Sequence, residues 1–241
     1  MFVGTMPPGN DTVAFPFLFV VLIFMPVLGI VSWYRLRKRE PQGTKRQRYI
    51  RTIVMHATLL VFAVAVASHE NFSLFPSFSA SAIAWSLTAL FLVLVLRKVG
   101  LKWSKVDEAR KKRMSRLLPE TLAEFKYWAV ISFLAGVGEE CSYRGVAFSL
   151  LFLMTGSALA AMVVCVVAFA VAHMSQGWRG TVGAGVLAAL FHLMVAATGS
   201  LYLAMAFHVA YDLLLGVVVM RLLQREKAAL DVTAQIAERP A

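Results

Sequence analysis

Long apolar runs, separated by short charged or polar stretches, dominate the chain. They extend over approximately Val13–Tyr34, Ile53–Ser68, Ala80–Leu96, Tyr127–Met154, Ser157–Met174, Thr181–Thr198 and Leu201–Leu223. A helix needs roughly 18–20 apolar residues to cross a bilayer, and most of these runs approach or exceed that length. The pattern predicts an all-α, polytopic transmembrane helical bundle with about seven spans and room for an eighth. The second and third runs are short and would be extended or tilted. Lys102 to Glu124 is predicted to form a helix lying on the membrane surface, with Trp103, Val106, Leu117 and Leu118 as its apolar contacts. Gln224 to Ala241 is expected to be a short soluble helix that frays at Pro240.

Composition supports a membrane location. Of the 241 residues, 59% are hydrophobic and only 15% charged, less charge than a soluble domain carries, and the mean hydropathy is +0.72. The formal net charge of +11 would in a soluble protein suggest nucleic acid. Here most of the basic residues fall in two clusters between apolar runs. One holds Arg35, Arg37, Lys38, Arg39, Lys45, Arg46, Arg48 and Arg51; the other runs from Arg97 to Lys126. Neither is interleaved with a stacking platform of aromatic residues. Such clusters set topology and contact anionic lipid head groups, so membrane lipids are the expected partners and nucleic acid is not.

The loop between the second and third runs, His69 to Ser79, has no Lys or Arg. Alternation of basic and neutral loops puts the N-terminus outside and the two basic loops, the Gln176–Arg179 turn and the C-terminus in the cytoplasm. Met1 to Thr12 lacks the basic start of a signal peptide, so the first run is expected to remain as an uncleaved helix. Cys141 and Cys165 both lie in apolar segments, which argues against a disulfide; Cys141 is expected to be a small buried hydrophobe.

Ionisable residues change the picture in the second half. Residues 1–124 form a first region of transmembrane helices and basic loops, 125–223 a second whose spans carry acids and bases, and 224–241 a tail. The fourth run contains Gly136-Val137-Gly138-Glu139-Glu140-Cys141-Ser142-Tyr143-Arg144-Gly145. An unpaired charge there costs at least about 3 kcal/mol. Glu140 and Arg144, four apart, share a helix face and can pair. Glu139 points about 100° away and needs another partner, which suits it to proton transfer. His173 lies in the fifth run, and His208 and Asp212, again four apart, in the seventh. Ala135, Gly136 and Gly138 would let another helix approach beside the glutamates. Taken alone, Glu140 with Arg144 fits helix-to-helix glue equally well; two Glu, two His, one Asp and one Arg on three spans point to function. His56 and His192 are read as packing residues, and His69 as interfacial.

These motifs resemble those of the CAAX protease and bacteriocin-processing family, also called the Abi or type II CAAX endopeptidase family. The resemblance rests on Glu139-Glu140 with Arg144 and Gly145, on Phe169 four residues before His173, and on His208 four residues before Asp212, with the Thr198-Gly199-Ser200-Leu201 turn between. It covers roughly 125–223. It implies an intramembrane glutamic protease: a helical fold enclosing a polar cavity within the membrane, where a peptide bond of a membrane-associated protein, a prenylated CAAX-type protein among them, or of a leader peptide is hydrolysed. By resemblance, Glu139 and His173 would activate water, Glu140 paired with Arg144 would hold the first glutamate in place, and His208 and Asp212 would lie near the developing oxyanion, with Phe169 in support.

The branch that trims prenylated proteins has asparagine at the last motif position. Ionised Asp212 cannot donate a hydrogen bond; either Asp212 is protonated or, the reading favoured here, it orients His208. No cofactor is implied. The rival enzyme class is a zinc metallopeptidase with Glu139, His173 and His208 as ligands, although no local His-Glu-x-x-His favours it. A catalytically inactive membrane chaperone or immunity factor would also keep such a fold, and a proton-coupled transporter would also carry buried acids and imidazoles. A prokaryotic cell membrane is the expected location. The sequence does not set the oligomeric state.

Overall fold

The computed structural model describes residues 13–38, 41–74 and 108–237. The predicted third span, Ala80–Leu96, and the start of the predicted surface helix, with Trp103 and Val106, lie outside the described residues, as does Arg39 of the first basic cluster. Every regular element among the described residues is helical.

Helix α1 (Ala14–Lys38) is followed by α2 (Lys45–His69). Then come α3 (Glu108–Leu117) and α4 (Leu122–Glu139), which continues through a π-helical stretch (Glu140–Ala147) into α5 (Phe148–Thr155). Helices α6 (Ala158–Ala172), α7 (Trp178–Thr198) and α8 (Leu201–Ala237) complete the bundle. Local chemistry sets several ends. Thr44 and Gln47 form a reciprocal capping box at the start of α2. Thr121 caps α4 through the Glu124 N–H, and Ser157 caps α6 through the Ala160 N–H. Gly156 and Gly199, at φ +67° and +66°, supply the left-handed residues that end α5 and α7.

Two boundaries differ from the sequence expectation. The surface helix does not run on to Glu124: it stops at Leu117, because Pro119 cannot continue it, and Leu118 is buried against protein. No break separates the last span from the tail. Helix α8 continues to Ala237, since no glycine or proline interrupts 217–237.

Four helical stretches are long and apolar enough to cross a membrane: Ala14–Lys38, Lys45–His69, Trp178–Thr198 and Leu201–Ala229; α6 is apolar but shorter. Large apolar side chains face outward along these helices, among them Phe15, Phe19, Val61, Leu159, Val167 and Leu193, while Glu139, Glu140, Arg144 and His208 are buried. That inverts the arrangement of a water-soluble fold.

The basic segments meet at one end of the bundle. Lys45 pairs with Glu120 and Glu124, Arg48 and Arg116 donate to the Arg116 and Leu36 carbonyls, and Arg113 lies beside Gly177. Lys111 reaches Glu108 and Glu226; hydrogen bonds to these two carboxylates hold its ammonium above the ordinary lysine range.

Candidate active site

Two glycines decide which helices flank the glutamates. A Cβ on Gly136 would lie 2.5 Å from Val209 Cγ2 and 2.8 Å from the Val209 nitrogen, so α8 sits directly on this face of α4. A Cβ on Gly138 would lie 3.3 Å from the His56 carbonyl oxygen, so α2 sits on another. The first contact brings His208, one residue before Val209, to the glutamates, and the second brings His56. Trp128 Nε1 donates to the Asp212 carbonyl at 2.8 Å and fixes the register of α4 on α8.

The winding changes at the motif itself. From Glu140 to Ala147 the helix is π-helical, a form frequent at functional sites. Ser142 and Ser149 donate to the carbonyls of Gly138 and Gly145, four residues back, at 2.7 and 2.6 Å. All eight residues of the stretch are buried.

Glu140 and Arg144 pair at 3.1 Å, with both side chains sealed from the surface. Arg144 also donates to the Ala188 carbonyl of α7 and lies 4.7 Å from the centre of the Phe169 ring. Phe169 in turn stacks on the His173 imidazole at 4.3 Å, and Tyr143 meets its edge at 5.1 Å. One aromatic ring thus couples the buried arginine to a histidine on the same helix as itself.

His173 stands at the end of α6, where the backbone leaves α-geometry. Its Nδ1 donates to the Phe169 carbonyl at 2.8 Å, an oxygen that also accepts the His173 backbone N–H at 3.3 Å. His173 Nε2 is then 4.0 Å from Glu139 Oε2. His208 Nδ1 lies 2.9 Å from Glu140 Oε1, and its Nε2 lies 3.7 Å from Glu139 Oε2 and 3.9 Å from Asp212 Oδ2. The hydrogen bond that orients the His208 ring therefore comes from Glu140, and Asp212 is beyond hydrogen-bond reach of Nε2. The structure brings Glu139, Glu140, Arg144, Phe169, His173, His208 and Asp212 together.

It adds a residue that sequence reasoning assigns to packing. His56 Nε2 is 3.1 Å from Glu139 Oε1, and its Nδ1 donates to the Thr52 carbonyl at 2.8 Å. The available signal is the rule that holds for the other spans, that an ionisable group inside an apolar helix is a functional candidate. His56 has no acid four residues away to raise it above the background. His192 is buried against Phe148, and among the described residues its Nε2 has no hydrogen-bond partner. His69 lies 3.1 Å from Glu70 at the opposite end of α2 from Lys45.

Buried charge must be balanced. Among the described residues, three carboxyls, Glu139, Glu140 and Asp212, share the site with one guanidinium, that of Arg144. Neutrality needs two further protons, held on the carboxyls or on the three imidazoles. The most exposed side chains of the group are His173 and Asp212, at 22% and 19%, against 10% for Glu139 and 0% for Glu140.

Residues 121–214 match the family described as type II CAAX prenyl endopeptidase, Rce1-like. No curated protein and no solved structure matches the chain. The match takes in every residue of the site except His56. Through this segment the chain is similar to the type II CAAX prenyl endopeptidase, Rce1-like, family of proteases, and its outward-facing apolar helices are those of an integral membrane protein.

Proposed function

We propose that the chain is an intramembrane endopeptidase that cleaves a membrane-associated protein, of the prenylated CAAX type or a leader peptide, using water activated by Glu139. One observation carries this: Glu139 Oε2 is buried and accepts no hydrogen bond from a described residue, yet stands 4.0 Å from His173 Nε2 and 3.7 Å from His208 Nε2. Polar atoms at that separation can each bond a single water held between them.

Glu139 Oε2 takes a proton from the water, and the oxygen forms a bond to the scissile carbonyl carbon. His173 orients the same water through Nε2, because its Nδ1 hydrogen is committed to the Phe169 carbonyl. The carbonyl oxygen becomes an oxyanion that His208 stabilises by donating from Nε2 as the imidazolium, with Nδ1 held by Glu140. Collapse breaks the C–N bond, and the proton on Glu139 passes to the departing amine. Asp212 serves the electrostatics of His208 from 3.9 Å. The reacting groups lie in a wet pocket between α2, α4, α6 and α8, within a bundle of about seven spans. The end that collects the basic segments faces the cytoplasm.

Zinc held by Glu139, His173 and His208 is the rival reading of the same residues, and a chelator separates the two. The test is cleavage of a farnesylated CAAX peptide, its unprenylated twin and a leader peptide by purified protein in liposomes, with products weighed by mass spectrometry. The wild type should release a C-terminal or leader fragment, with or without a strong chelator. Glu139→Gln should slow release about 10²- to 10⁴-fold. Cleavage by Glu139→Gln at the wild-type rate, or its abolition by chelator, would overturn the mechanism.

A further inference from the structure

His56 comes from a helix that the family match does not include, yet it makes the shortest contact to Glu139 of the three imidazoles, 3.1 Å from Nε2 to Oε1. The partner on its other nitrogen fixes its chemistry. The Thr52 carbonyl can only accept, so Nδ1 carries a hydrogen. The Nε2–Oε1 contact then holds one proton between imidazole and carboxyl. Either an imidazolium faces a carboxylate, or a neutral ring accepts from a carboxylic acid.

His173 is built the same way. Each ring donates its Nδ1 hydrogen to the carbonyl four residues back, Thr52 in one case and Phe169 in the other. Each presents Nε2 to Glu139, one at Oε1 and one at Oε2. The two oxygens of a carboxylate are equivalent until something distinguishes them.

We infer that His56 is a positioning residue for the hydrolytic base: by engaging Oε1 and sharing a proton with it, His56 fixes the carboxyl rotamer and dedicates Oε2 to the water between His173 and His208. The inference rests on the assignment of Glu139 as the base. It makes the second transmembrane helix a part of the active site, supplying a residue from outside the matched segment. His56 lies on the far side of the carboxyl from His173 and His208, so it should affect turnover and leave substrate binding alone.

The test uses the full chain in liposomes with whichever of the three peptides the wild type cleaves, and compares Glu139→Gln, His56→Phe, His56→Gln and His56→Asn. The side-chain nitrogen of glutamine reaches the place of Nε2, and that of asparagine the place of Nδ1. His56→Phe should lower kcat about 10- to 100-fold with KM within about twofold. His56→Gln should recover most of that loss by donating to Oε1, and His56→Asn should not. A purely structural role predicts no such ranking between the two amides. Should His56→Phe fail to fold, the glutamine and asparagine pair decides alone. If Glu139→Gln is dead while His56→Phe turns over at the wild-type kcat, or while the two amides are equally impaired, the role of His56 is refuted and the base assignment stands. An active Glu139→Gln refutes the base assignment itself.

Discussion

Helices α4 to α8 and the first two helices, α1 and α2, serve one site by different means. The later helices supply charge in internally matched sets: Glu140 with Arg144 at 3.1 Å and His208 with Glu140 at 2.9 Å. The earlier two supply bracing and one imidazole. Helix α1 passes so close to the end of α6 that a Cβ on Gly29 would run into the Val171 carbonyl oxygen, two residues before His173. Helix α2 holds the far oxygen of Glu139 through His56. Charges in a low-dielectric interior must be neutralised close by, so they travel together on few helices. Bracing needs only shape, and any apolar helix with a small residue in the right place provides it.

The charge set should break hardest. Arg144→Ala leaves Glu140 buried without its guanidinium, a loss of about 3–5 kcal/mol. Folded protein recovered from membranes should fall to near nothing, as read by size-exclusion chromatography in detergent. Arg144→Lys should recover little, because an ammonium cannot keep both the pairing with Glu140 and the flat contact with Phe169. Normal yield from Arg144→Ala would mean that the later helices are not held by their charges.

The two glycines beside the glutamates sharpen the contrast between neighbours. Gly136→Ala would press a methyl group into the Val209 backbone and should cost about 1–3 kcal/mol in thermal unfolding. Gly138→Ala meets the His56 carbonyl at 3.3 Å, a contact that a shift of a few tenths of an ångström relieves. Its stability cost should be under about 1 kcal/mol, while kcat falls because the shift loosens His56 from Glu139. Equal effects of the two on stability would remove the distinction between a charge-bearing and a bracing contact.

How far these features are legible in the sequence follows from their physics. Spans such as α1, α2, α7 and α8 are visible as uninterrupted apolar runs, since a bilayer tests only length and hydropathy. Glu140–Arg144 and His208–Asp212 are visible because a helix puts residues four apart on one face, although the latter pair sits at 3.9 Å without a hydrogen bond. The π-helical winding at Glu140–Ala147 leaves no such period. His56 is hidden for a related reason: its partner lies 83 residues away on another helix, and no local spacing encodes that contact. The end of α3 is marked in the sequence by Pro119, but charged residues continue beyond the proline and mask the break.

The smallest effect, a coupling between two changes, tests the bracing by α1 most directly. In the π-helical turn of α1, the Met25 N–H bonds the Val20 carbonyl five residues back. The next carbonyl, of Val21, would meet position 26 in the same way, but Pro26 has no N–H. Tyr143, from the π-helical stretch beside the glutamates, donates its hydroxyl to the Val21 carbonyl at 3.2 Å. Its ring also supports Phe169 and, through it, His173. A proline in one helix thus leaves an acceptor that a site residue on another satisfies. Tyr143→Phe should cost about 1 kcal/mol in the wild-type background, the worth of one buried hydrogen bond. Pro26→Ala restores a backbone donor, so the same Tyr143→Phe change in that background should cost clearly less. A double-mutant cycle by thermal unfolding in detergent measures the difference. Strict additivity would show that the Val21 carbonyl does not depend on Tyr143, and that α1 braces the site by shape alone.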